Sequence, residues 1–171
     1  MNDAERLACA QWDRRQRGED FEQEIRSSWA LIPNCWRMKI AAVGGTRPAD
    51  EIILLEDANV LAEQKRTAGA IFKLNMLREN QVTGLVDFDQ VIGRSYGLVF
   101  ISFLNEDLGR DETYAVRLIT ALKYMKSKNR VSIPLADLQQ GKLNCMEIPR
   151  VAGAEKRTYD LKGVVKYCRS L

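Results

Sequence analysis

The spacing of apolar positions changes several times along the chain, and each change marks an element. From residue 3 to residue 31 the spacing is helical, with Phe21, Ile25 and Trp29 on one inward stripe and Gly18 as a break between two helical segments. Pro33 closes that helix, Cys35 to Val43 reads as a first strand, and Gly44 to Pro48 is a loop. Ile52 to Leu55 is a short apolar run, and Asp57-Ala58-Asn59 supplies turn chemistry. Val60 to Thr67 then alternates with period two, so that Leu61, Glu63 and Lys65 share a face. Together these runs predict a β-hairpin that sets Asp50 opposite Glu63 to Lys65. After Gly69 a helix is predicted from Phe72 to Val86, with Leu74, Leu77, Gln81 and Leu85 on its inward stripe. Gly97 to Leu104 is almost continuously apolar, as in a central strand covered on both faces, and belongs beside the hairpin. Asp111 to Ser127 is predicted as a helix with Tyr114, Leu118, Leu122 and Met125 inward and Lys123, Lys126 and Lys128 outward. Pro134 opens a short turn or helix through Gln140, Asn144 to Val151 is a last short strand, and Thr158 to Leu171 is a basic terminal helix. No repeat, low-complexity tract or linker interrupts the chain, which reads as a single α/β (α+β mixed) domain over residues 1–171.

Several charged groups sit where this pattern demands apolar ones. Asp50, Glu63 and Lys65 converge at the edge of an otherwise apolar hairpin, where burial is costly unless a cation or a reaction uses them. Phosphodiester hydrolysis needs a cation, an oriented water and a group that helps ionise that water. Asp50 and Glu63 offer oxygen ligands for Mg2+, with Mn2+ as a substitute, and Lys65 is placed to orient water or stabilise the pentavalent phosphate. Gln81 is the polar member of its stripe: it either reaches a water, a phosphate or the hairpin near the mouth of a site, or bonds solvent at the stripe's edge. Glu22 borders the first helix's stripe and either points to a neighbouring site or pairs with Arg26 at i+4. Arg14, Arg15 and Arg17 beside Trp12 are candidate phosphate contacts or a solvated cluster, Arg47 after the glycine loop is a candidate phosphate contact or part of a plain turn, and Arg66 is a further candidate contact.

Composition narrows the chemistry. The chain has no histidine, which removes Ser-His-Asp and Cys-His triads, histidine bases and His-ligated zinc. Its four cysteines are widely spaced with no C-x-x-C pair, so neither a zinc knuckle nor a disulfide framework is indicated. No Gly-Lys-Ser/Thr follows Gly44-Gly45, so no nucleotide cofactor is expected. No apolar run approaches the ~18 residues of a membrane helix and the first residues lack a signal-peptide pattern, so a cytoplasmic protein with no membrane partner is expected. The net charge of +3 hides an asymmetry: residues 50–116 carry 12 acidic and 6 basic side chains, residues 117–171 carry 12 basic and 4 acidic. A polyanion bound beside an acidic, cation-holding centre suits that distribution, with Lys123, Lys126, Lys162 and Lys166 as phosphate contacts. A solvated basic face is the alternative.

Pro48-Ala49-Asp50 followed by Glu63-Gln64-Lys65 resembles the bipartite motif of the PD-(D/E)XK nuclease superfamily, with the spacing between proline and aspartate as a small departure. Gly18-Glu19-Asp20-Phe21-Glu22 looks like the amino-terminal helix of that group's Holliday junction resolvases, in which a glutamate completes the metal site. Glu63 to Thr67, Gln81 and Gly97 to Phe103 are similar to the core of RecU-type and phage-borne resolvases. The resemblance covers residues 18–104 and leaves the basic segment 111–171 unassigned. It implies a restriction-endonuclease-like core, a small mixed sheet flanked by helices in the order helix, three strands, helix, strand, helix. It also implies a Mg2+-dependent homodimer that cuts opposing strands of a four-way DNA junction. RecU-type enzymes carry a long stalk between their first strands, whereas Ala42 to Ala49 is short, so a compact archaeal-like or phage-like resolvase fits equally. Another restriction or repair endonuclease of the superfamily, or a non-catalytic DNA-binding module, are the competing readings.

Overall fold

The computed structural model describes residues 2–42, 44, 46–91 and 93–170. The expected strand end at Val43, the loop residue Gly45 and the helix end at Leu171 lie outside the described residues.

Helix α1 spans Asp3–Trp29 and opens on a capping box, in which Asn2 accepts from the Glu5 N–H and the Glu5 side chain accepts from the Asn2 N–H. It runs through Gly18 without the expected break. A mid-helix glycine costs only about 1 kcal/mol, and the i,i+4 pairs Arg15 to Glu19 and Gln16 to Asp20 flank it on the helix surface. Phe21, Ile25 and Trp29 are fully buried, whereas every residue from Glu5 to Arg17 is exposed, so the first turns of α1 extend beyond the body.

Strands β1 (Trp36–Lys39), β2 (Glu51–Leu54) and β3 (Asn59–Thr67) form an antiparallel meander. Short strand β4 (Ile71–Lys73) and a 3-10 turn at Leu74–Met76 follow, then helix α2 (Glu79–Val91). Residues Phe72 to Met76 are therefore extended or 3-10 instead of helical, because Phe72 is drawn into a two-stranded ladder opposite Ile133. Strand β5 (Ser95–Asn105) returns parallel to β3, pairing Glu63 with Val99 and Lys65 with Ile101, so β3-α2-β5 is a crossover unit.

The segment Arg110–Arg117, expected to begin a helix, is strand β6, antiparallel to β5. A 3-10 turn at Glu106–Leu108 and a left-handed Gly109 (φ +60°) close the hairpin, and Thr113, Tyr114 and Val116 favour the strand. Helix α3 (Leu118–Ser127), strand β7 (Ser132–Pro134), helix α4 (Leu135–Gln139), strand β8 (Met146–Glu147) and helix α5 (Lys162–Arg169) complete the chain. α5 starts later than expected because Tyr159 is used in a bridge to Arg150 and its N–H donates to Ser28 Oγ at 2.9 Å.

The main sheet has the order β1-β2-β3-β5-β6-β8, mixed, with helices on both faces. One core packs Leu61, Val99, Ile101, Tyr114 and Val116 under α2, α3 and α4; the other packs Val60, Ala62, Leu98, Phe100 and Ala115 under α1 and α5. Period-two alternation on β3 thus directs Glu63 and Lys65 to the α2 side and Gln64 and Arg66 to the α1 side.

Candidate active site

The backbone of Asp50 is fixed from both sides, its C=O accepting from the Ile40 N–H at 2.9 Å and its N–H donating to the Ala62 C=O at 3.0 Å. That ladder step is what brings its carboxylate beside β3, where Asp50 Oδ2 accepts from the Gln64 N–H at 2.8 Å. Asp50 Oδ1 accepts from Arg47, whose Nη2 also donates to Glu22 Oε1 at 3.1 Å. Lys39 Nζ holds the other Glu22 oxygen at 3.3 Å. Glu22 therefore points into the site instead of pairing with Arg26.

Glu63 is fully buried on the α2 side of β3. Its Oε1 accepts from both Lys65 Nζ and Gln81 Nε2, while Oε2 is buried with no hydrogen-bond partner. Gln81 in turn accepts from the Arg78 N–H at 2.9 Å, so its amide links the start of α2 to the carboxylate. Two glycines permit this approach: a Cβ on Gly97 would sit 2.2 Å from the Leu85 carbonyl oxygen, and one on Gly84 would sit 2.5 Å from Pro48 Cβ.

Desolvation pushes the Asp50 carboxyl up, with the Glu22 charge adding to it and the Gln64 N–H, Arg47 and Lys65 opposing. Burial first and the Asp50 charge second push Glu63 up to about 7, against Lys65 and Arg47. On the opposite face Glu51 is likewise pushed up to about 7, mainly by burial, and accepts from Gln64 Nε2 at 2.8 Å.

Glu22, Arg47, Glu63, Lys65 and Gln81 line one polar pocket of about 850 Å³, with Arg14 and Arg15 from the projecting helix also on its wall. Lys39 and Arg78 line it as well; neither stood out in the sequence, since an edge-strand lysine and a pre-helix arginine look like ordinary surface charge. Arg17 faces a neighbouring hollow with Asp20 and Glu24. Arg66, expected as a phosphate contact, also lines the polar pocket and is tied into the protein. Its side chain is only 3% exposed, ion-paired with Glu24, bonded to Ser102 Oγ at 3.0 Å and Tyr159 Oη at 3.1 Å, and stacked over Phe21. It is a cross-brace between α1, β3 and the carboxy-terminal segment. Lys123 and Lys126 on α3, and Lys162 and Lys166 on α5, are exposed but belong to helices on opposite faces of the sheet.

Among the described residues no three carboxylates or thiolates close into a ready-made metal cage. The donors nevertheless suit a hard cation that keeps most of its water, because such an ion takes only one or two carboxylates, and the orphaned Glu63 Oε2 is a buried acceptor lacking a positive partner.

No family model matches the chain, and no curated protein matches it. Among solved structures it aligns with Hjc, a Holliday junction resolvase from the archaeal hyperthermophile Archaeoglobus fulgidus, at 17% identity and a TM-score of 0.45. The alignment covers 60% of this chain and 78% of that one. Among the described residues no helix is long and apolar enough to cross a membrane.

Proposed function

We propose that the chain is a metal-dependent endonuclease that hydrolyses DNA phosphodiesters. The observation that carries this reading is Glu63: a buried carboxylate, flanked by Asp50, with one oxygen shared by Lys65 and Gln81 and the other left without a partner. Lys65 and Gln81 compensate only one oxygen of Glu63, and the remaining cost of burial, which pushes the carboxyl up to about 7, is what a bound cation would offset. Mg2+, or Mn2+ in its place, would be held by Asp50 and Glu63 with Glu22 in support, and when bound would supply Lewis acidity toward a phosphoryl oxygen and a water of lowered pKa.

The chain's own residues do the rest. Gln81 fixes the orientation of Glu63 by tying it to the start of α2. Lys65 holds its ammonium at the same oxygen, where it can orient the attacking water or meet the charge that develops on the phosphate. Arg14 and Arg15 extend the pocket wall as phosphate contacts. The finer reading is a homodimeric Holliday junction resolvase that nicks opposing strands of a four-way junction, for which the support is the motif resemblance.

A second reading, a non-catalytic DNA-binding module, is favoured by one observation: Arg47 and Lys39 together already pair with Glu22 and Asp50 without any metal. Incubating the protein with labelled four-way junction, linear duplex and single strand, each with Mg2+ and with chelator, separates these. Paired cuts of the junction that need Mg2+ and vanish in Asp50→Ala and Glu63→Ala support the resolvase. Mg2+-dependent cutting of linear duplex at least as fast supports another endonuclease, and binding without cutting supports the module.

A further inference from the structure

Arg47 occupies the position in which a cation is needed. Its Nη2 bridges Glu22 Oε1 and Asp50 Oδ1, two of the three carboxylates assigned to the metal, and the third oxygen pair, on Glu63, still has an empty acceptor. We propose that Arg47 is a displaceable resident of this cation site: its guanidinium bridges Glu22 and Asp50 in the DNA-free protein and transfers to a DNA phosphate when DNA docks, so that DNA binding and divalent-cation binding promote each other. The inference rests on the reading of the site as a metal-dependent nuclease.

Three features make the transfer a side-chain movement. The Arg47 carbonyl accepts from the Asn80 side-chain amide at the start of α2, and Pro48 sits directly over Gly84, so the main chain on either side of the guanidinium is anchored to α2. The side chain itself is 22% exposed, enough for its tip to reach the pocket mouth. Finally, guanidinium binds carboxylate and phosphate with the same planar fork, so it exchanges one partner for the other without losing charge-assisted hydrogen bonds. Departure of Arg47 alone would leave Glu22 with Lys39 only and the buried Asp50 with no direct cationic partner, which disfavours an open site in the absence of a cation. Arrival of the cation alone has to expel Arg47 into water. Each ligand therefore lowers the cost of the other, and the linkage is reciprocal.

The test measures Mn2+ affinity by calorimetry or electron paramagnetic resonance, with and without four-way junction. The junction arms are run in a Lys65→Ala background so that the DNA stays intact. Wild type and Lys65→Ala are expected to bind Mn2+ weakly alone, and Lys65→Ala about tenfold more tightly with DNA. Arg47→Gln is expected to bind Mn2+ about tenfold more tightly without DNA and to gain little more on adding it. Arg47→Lys keeps the charge without the bridging fork and should fall between the two, and it decides the matter if Arg47→Gln does not fold. An Arg47→Gln protein that loses Mn2+ affinity, or keeps an undiminished DNA-dependent gain, overturns the proposal and makes Arg47 a fixed clamp. Failure of the nuclease reading itself looks different: no Mn2+ binding in wild type or in any variant, with or without DNA.

Discussion

Lys65 and Gln81 share one oxygen of Glu63, so the three residues act as a unit whose parts do different work. An interaction realised mainly in the transition state lowers the rate of the chemical step far more than it lowers affinity when removed. Lys65→Ala is expected to bind a four-way junction within a few-fold of wild type and to lose single-turnover cleavage by about 100-fold or more. Lys65→Arg should recover only part of the rate, since a planar fork does not replace a compact ammonium. A variant that cuts normally once DNA is saturating would reduce Lys65 to a phosphate contact. Glu63 sets a second expectation. With its carboxyl raised from 4.5 to about 7, the folded protein holds a proton that the unfolded chain releases, so stability falls as pH climbs between those values and levels off above them. Without metal, Glu63→Gln should be more stable than wild type at pH 8 by about 1–3 kcal/mol, with a shallower slope between pH 5 and 7 in urea titrations. Part of the slope should survive, because Glu51 is raised in the same way. Equal stability of the two proteins at pH 8 would mean that Glu63 is not the source.

At the scale of elements, α2 is the piece that has to be seated correctly, and it is seated by contact at two glycines. Gly97→Ala drives a methyl into the Leu85 carbonyl and should destabilise the protein by about 2–3 kcal/mol. Gly84→Ala pushes α2 away from Pro48, and its signature should be a loss of cleavage larger than its loss of stability, because Gln81 rides on the same helix. Equal Tm and activity for Gly84→Ala and wild type would show that the seating does not matter. The hairpin of β2 and β3 was legible in the sequence because period-two alternation and a turn specify which face Glu63 and Lys65 take, and the buried stripe of α1 was legible for the same kind of reason. The strand β6 was not: Asp111-Glu112 imitates a helix start, and Tyr114 to Leu118 fits helical spacing as well as it fits a strand. Only the pairing of Tyr114 with Ile101 and Val116 with Val99 decides between them. The bracing of Arg66 was not legible because its partners, Glu24 and Tyr159, lie 42 and 93 residues away, a distance over which local pattern carries no information. The role of Arg47 in the site was hidden for a similar reason, since Glu22 is 25 residues upstream on another element.

For the whole molecule, the two lysine pairs expected to form one phosphate-binding surface sit on helices covering opposite faces of the sheet. A single duplex over the pocket is therefore expected to engage them unequally. Neutralising Arg14 and Arg15 should reduce the slope of log affinity against log salt by about 2, while of the double variants Lys123→Gln with Lys126→Gln and Lys162→Gln with Lys166→Gln, one at most should change it. Equal changes from both lysine pairs would require DNA to wrap the molecule. The amino-terminal turns of α1 carry Arg14 and Arg15 toward the pocket mouth, and every residue from Glu5 to Arg17 is exposed. A solvated helix of that length is only marginally stable in water, so its amide hydrogens should exchange within seconds by local fraying while those from Phe21 to Trp29 wait for global unfolding. Deuterium uptake followed by mass spectrometry would then show one continuous helix melting as two cooperative units, with the boundary falling where Phe21 first meets Tyr159.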